Sequence, residues 1–172
     1  MPASTDDLLA RLDSLGIATT VVTHPALFTV EQSQALRGKV PGAHTKNLFL
    51  KDKKGQLFLV TTLEDAEIEL KHLHNVIGAS GRLSFGSPEL MMEKLGVVPG
   101  SVTPVGVIND QPPSVTVVLD ESLVADDRIN CHPLVNTMTM TLATSDLLAF
   151  LRATGHEPRI LPVDRSRAAG QL

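Results

Sequence analysis

The sequence predicts a mixed α/β (α+β) fold: a compact single domain with a mixed, mostly antiparallel, barrel-like sheet surrounded by about five helices. Three observations lead there. The chain has 172 residues and 42% hydrophobic content, enough for one sizeable core. Segments with apolar residues at helical spacing are interleaved with β-branched runs. The runs "PSVTVVLDESL", "RINCHP" and "TMTMTLA" follow one another with no helix between them, which argues against a regular βαβ alternation.

The elements follow in order. "STDDLLARLDSLG" is an amphipathic helix: Ser4 or Thr5 caps it, Asp6 and Asp7 suit its positive end, Leu8, Leu12 and Leu15 share a face, and Gly16 ends it. "IATTVVTHP" is a strand that stops at Pro25, and "TVEQSQALRG" a short helix closed by Gly38. "NLFLKDKKGQLFLVTT" is a hairpin with Lys54 and Gly55 in its turn. "DAEIELKHLHNVIG" is a second amphipathic helix, and "GRLSFGS" a short strand. "SPELMMEKLG" carries helix punctuation, with Ser87 at the N-cap, Pro88 at N1 and Gly96 at the end. "VVPGSVTPVGVIND" is a loop that becomes a strand, and "PSVTVVLDESL" and "RINCHP" are strands. "TMTMTLA" alternates and reads as a strand with one buried face. "TSDLLAFLRATG" is a capped helix and "PRILPV" a last strand. One domain is expected over residues 1–164, with 165–172 a mobile tail.

Composition narrows the functions. One Cys cannot form an internal disulfide, the first residues carry acids where a signal peptide needs bases, and no apolar run approaches the roughly 20 residues of a membrane span. A soluble cytoplasmic protein is expected. The net charge of −4 argues against a bulk polyanion binder. Yet Arg37, Lys39, Lys46, Lys51, Lys53 and Lys54 cluster against the single acid Asp52. Such a patch suits a short contact with nucleic acid, or simply a solvated hairpin guarded by Lys.

Several chemistries are weighed and set aside. In a strand, Cys131 and His132 point to opposite faces, so they cannot form a dyad with each other. His72 and His74 lie two apart on a helix, and nothing completes a tetrahedral metal site. There is no serine-nucleophile motif, phosphate loop or dinucleotide fingerprint. Neither a metal nor a cofactor is called for. Gly100 and Pro104 form a G-x-x-x-P loop where backbone N–H groups can approach a ligand. Lys46 before an apolar strand and His132 before Pro133 are, singly, ordinary surface and hydrogen-bonding residues.

Together, "HTKNLFL", then G-x-x-x-P, then "NCHP" before a Thr/Met-rich strand resemble one family in order and spacing. It is the family of aminoacyl-tRNA editing domains (YbaK-type) inserted in bacterial prolyl-tRNA synthetases and also found free-standing. The resemblance runs from the first helix to about Val163 and is closest to the free-standing proteins that hydrolyse alanyl-tRNA(Pro). It implies a compact α/β domain and no cofactor. It implies that Lys46 binds the 3′ end of the aminoacyl-tRNA and that His132 helps hold the amino acid. Gly100, Ser101, Val102, Thr103 and Pro104 would surround the aminoacyl group. His44, Thr45 and Asn47 complete the motif at the lip of the cleft, Phe28 is a candidate pocket wall, and Lys51, Lys53 and Lys54 would draw in the tRNA.

The implied reaction is hydrolysis of a mischarged ester, assisted by the terminal adenosine's 2′-hydroxyl. It needs a positioned water and a stabilised oxyanion rather than a protein nucleophile. The partners implied are the tRNA(Pro) acceptor end carrying alanine and a prolyl-tRNA synthetase. Two alternatives are editing of cysteinyl- or seryl-tRNA, and a non-catalytic module that binds tRNA ends or a synthetase.

Overall fold

The structure, a computed structural model, describes residues 1–26 and 40–166. The helix expected over 29–38, together with Phe28, Arg37 and Lys39, lies outside the described residues.

A hairpin organises the rest. Strands β2 (Ala43–Lys51) and β3 (Leu57–Leu63) pair antiparallel, from Thr45 opposite Leu63 to Lys51 opposite Leu57. Buried Asp52 shapes the turn: its carboxylate accepts the backbone N–H groups of Lys54, Gln56 and Ser80, each at 2.9 Å. Gly55 takes the left-handed φ of +84° that the turn requires. Those bonds, that from Ser80 foremost, hold the Asp52 carboxyl below the usual carboxylate range, against the opposing effect of its burial.

The other strands are β1 (Thr19–Thr23), β4 (Ser84–Phe85), β5 (Val115–Asp120), β6 (Arg128–Cys131), β7 (Met138–Ala143) and β8 (Arg159–Leu161). The sheet runs β1-β7-β6-β2-β3-β5-β8, with β4 also paired to β2. Pairs β2/β6, β3/β5 and β5/β8 are parallel, and the remainder antiparallel. The mixed, mostly antiparallel sheet expected from the sequence is therefore observed.

Strand alternation divides the core between two faces. Leu57 and Leu59 of β3 face one cluster, Phe58 and Val60 the other. The larger cluster is closed by Leu8 and Leu12 of α1 (Thr5–Ser14), Leu95 of α3 (Pro88–Leu95), and Leu147 and Phe150 of α5 (Thr144–Ala153). The short α4 (Glu121–Val124) adds Leu123. The smaller cluster is closed by Leu73 and Ile77 of α2 (Leu70–Ile77). Central strands are thus buried on both faces, which explains their near-continuous apolar runs. No helix among the described residues is long and apolar enough to cross a membrane.

The helix signals at α3 hold in detail. Ser87 accepts the Leu90 N–H at 3.1 Å, Pro88 opens the helix, and Gly96 closes it in the left-handed region. Other expectations are corrected. β2 begins at Ala43, so His44, Thr45 and Lys46 lie inside the strand rather than ahead of it. Pro104–Asn109 is a 3-10 helix, not a strand. β7 buries residues on both faces, from Thr139 to Leu142. α5 starts without a side-chain cap, since Ala143 holds the N-cap and the Thr144 hydroxyl donates to the Asp126 carbonyl. α2 starts only at Leu70. The start of the expected tail is held, with the Arg165 N–H on Glu67 at 2.9 Å and its guanidinium on Glu69 at 3.0 Å.

Candidate active site

β2 is paired on one edge with β3 from Thr45 to Lys51. On its other edge it meets β6 only at Ala43 and His44, and β4 only at Leu50 and Lys51. Beside the stretch between those pairings opens a cleft of about 210 Å³, lined by Thr45, Lys46, Asn47, Gly100, Val102 and His132. Three motifs separated by dozens of residues in sequence meet there. β2 brings the first, the turn before the 3-10 helix the second, and the end of β6 the third.

Hydrogen bonds fix the walls. The Asn47 amide donates to the Val102 carbonyl at 3.0 Å, and its oxygen accepts the Thr61 hydroxyl at 2.6 Å. Its side chain therefore clamps the Gly100–Val102 turn to the sheet. The Thr45 hydroxyl donates to the Asn130 carbonyl at 2.8 Å, joining β2 to β6. Lys46 donates from Nζ to the Ala66 carbonyl. An ammonium has three donors, so this bond positions Lys46 and leaves two N–H groups for an anion.

His132 Nδ1 lies 3.2 Å from the Met138 carbonyl. A carbonyl only accepts, so Nδ1 carries a proton and Nε2 of the neutral ring is an acceptor. Burial foremost, and the nearby His24 as well, push the His132 pKa below 6.5 despite the opposing Met138 bond. His132 is therefore a neutral base at neutral pH. Two residues on, buried Leu134 has φ +73°, a strained value for a side-chain-bearing residue. It turns the chain away behind Pro133, and no sequence signal marks it.

The remaining predicted residues lie elsewhere. Ser101, Thr103 and Pro104 are buried beneath the turn and do not line the cleft, so only Gly100 and Val102 of that loop reach it. His44 bonds to the Val40 carbonyl at 3.1 Å and lines a separate hollow with Glu64, Asp65 and Asp126. Exposed Lys51, Lys53 and Lys54 sit at the hairpin's other end, with Lys51 roughly 17 Å from Lys46 along the strand. Cys131 is buried, and burial pushes its thiol up to about 12 against a smaller lowering by the Thr103 hydroxyl. It stays a thiol, which removes it as a nucleophile. A larger hollow of about 630 Å³, lined in part by Lys71, His74 and Arg82, lies beside α2 and holds none of the three motifs.

Comparison with known proteins identifies the family. A sequence profile of the aminoacyl-tRNA editing domain matches residues 24–150. The chain is 42% identical over 162 residues to Prolyl-tRNA synthetase associated domain-containing protein 1 of Mus musculus, covering 92% of this chain and 95% of the relative. It is 36% identical over 150 residues to the Prolyl-tRNA editing protein ProX of Acetoanaerobium sticklandii, covering 87% and 91%. A solved structure of a candidate trans-editing enzyme for prolyl tRNA synthetase superposes with a TM-score of 0.67 at 21% identity, covering 94% of this chain and 98% of that one, which shows the shared fold. On the profile match and these identities, the chain belongs to the aminoacyl-tRNA editing domain family.

Proposed function

We propose that the protein is a trans-editing deacylase that hydrolyses alanyl-tRNA(Pro). The observation that carries this is the meeting of Lys46, Gly100 and His132 on one small cleft. At about 210 Å³ the cleft is smaller than the roughly 300–1,000 Å³ of most ligand pockets. That suits a small aminoacyl end rather than a whole nucleotide. The name of the ProX relative supports a prolyl-tRNA substrate.

The chemistry needs little from the protein. Water adds to the ester carbon, the acyl–oxygen bond breaks, and the ribose oxygen leaves with a proton, giving the free amino acid and tRNA. The 2′-hydroxyl of the terminal adenosine orients that water. Lys46 holds the phosphate of the 3′ end. The Gly100 turn lets the backbone approach the acyl group. The His132 Nε2 accepts a hydrogen bond from the α-ammonium or the water.

The test is a panel of tRNAs charged with alanine, cysteine, serine and proline, followed for deacylation. Hydrolysis of alanyl-tRNA(Pro) above the others is the expected result. Hydrolysis of none would overturn the proposal, and a different preferred amino acid would replace its specificity.

A further inference from the structure

The open edge of β2 points to a second contribution from Asn47, made by its backbone. The direction of each main-chain group is fixed by two observations. The His44 carbonyl accepts the Glu64 N–H at 2.9 Å, so even-numbered residues of β2 face β3. The Phe49 carbonyl accepts the Gly86 N–H at 2.9 Å, so odd-numbered residues face the other edge. With a period of two, the N–H and C=O of Asn47 face that outer edge as well. β6 covers the edge only at Ala43 and His44, and β4 only at Leu50 and Lys51. Among the described residues, no strand pairs with Asn47 there. The cleft lies beside it.

Physical reasons keep this edge open. β6 ends at Cys131, Pro133 offers no N–H, and Leu134 at φ +73° turns the chain aside. The Asn47 side chain holds the Gly100–Val102 turn through Val102, so the turn stands beside the edge without pairing to it as a strand. An N–H and a C=O on one residue that no strand among the described residues pairs are a template for an added extended segment.

We propose that the aminoacyl group of the substrate docks on Asn47 as a single added β residue. This rests on the editing reading above and deepens it. An aminoacyl ester carries an α-ammonium and a carbonyl on adjacent atoms, as a strand residue carries N–H and C=O. In an antiparallel closely spaced pair, the α-ammonium donates to the Asn47 C=O and the Asn47 N–H donates to the ester carbonyl. That N–H then stabilises the oxyanion as water adds. The antiparallel sense places the ester towards β6. Extending the β2/β6 register from His44 opposite Asn130 puts His132 beside Lys46, on that same side. The two-point contact also fixes the side-chain direction, so a D-aminoacyl ester would project its side chain wrongly.

Two measurements test this. The first is amide hydrogen exchange of the unmodified protein with and without 3′-alanylamino-3′-deoxyadenosine, a non-hydrolysable substrate end. The Asn47 N–H should exchange much faster than its β3-bonded neighbour Leu48 in the free protein, and slow at least tenfold with the analogue. Protection in the free protein, or unchanged exchange at saturation, overturns the proposal. The second replaces the Asn47 peptide N–H by an ester oxygen, keeping the side chain. Loss of one oxyanion donor should lower kcat/KM for alanyl-tRNA(Pro) by about 100-fold, and a rate within twofold of the parent overturns the docking while leaving the editing reading intact. If the unmodified protein deacylates nothing in the panel, the editing reading and this docking fail together.

Discussion

At the scale of single residues, the neutrality of His132 makes the sharpest prediction. Its folded pKa lies below 6.5, chiefly through burial. The neutral ring is then the majority form at pH 6.5 and above, so any fall in kcat/KM that reports its protonation should have its midpoint below pH 6.5. A midpoint at or above 6.5 would contradict that environment. Stability follows the same sign: the folded state resists protonation at His132, so its contribution is present above about pH 6.5 and lost as the pH falls below it. His132→Ala should lower kcat/KM about 100-fold, and a normal rate would remove its role. The motif letters at this scale were legible: Lys46, Gly100 and His132 do meet. What each atom does was not. The Asn47 side chain is engaged by Thr61 and Val102, and Lys46 by Ala66. Those partners come from distant positions that no local pattern names.

At the scale of elements, helix α3 shows what local punctuation does. Ser87→Ala removes the bond to the Leu90 N–H, which costs about 1 kcal/mol and about 2–4 °C in Tm, with deacylation unchanged. Gly96→Ala is harsher, because an added Cβ would sit 2.3 Å from the Asn109 amide at a φ of +66°. That amide also donates to the Leu95 carbonyl at 2.9 Å and ties α3 to the 3-10 helix. Thermal unfolding of the two variants should rank them in that order. Such signals were readable because capping is local. The 3-10 helix Pro104–Asn109 was not readable, since "PVGVI" carries β-branched residues that favour a strand. Packing of Val105 and Val107 into the core decides it instead.

At the scale of the whole molecule, long-range ties position the site. Asp110 accepts hydrogen bonds from the Ser114 N–H and hydroxyl, the Val115 N–H and His156 Nε2. Burial raises its carboxyl, and these bonds together outweigh that, so its pKa lies below the ordinary value. Asp110→Ala strands these donors in the core and should cost roughly 3 kcal/mol or more by chemical denaturation. The fold class was legible from the interleaved patterns, but the pairing of β2 with β6, more than eighty residues apart, was not. That pairing brings His132 beside Lys46. The most direct measurement of the central claim is deacylation of alanyl-tRNA(Pro) by the parent and by Lys46→Ala. The account predicts hydrolysis by the parent and a loss of about 100-fold in kcat/KM in the variant. Full activity in Lys46→Ala would contradict it.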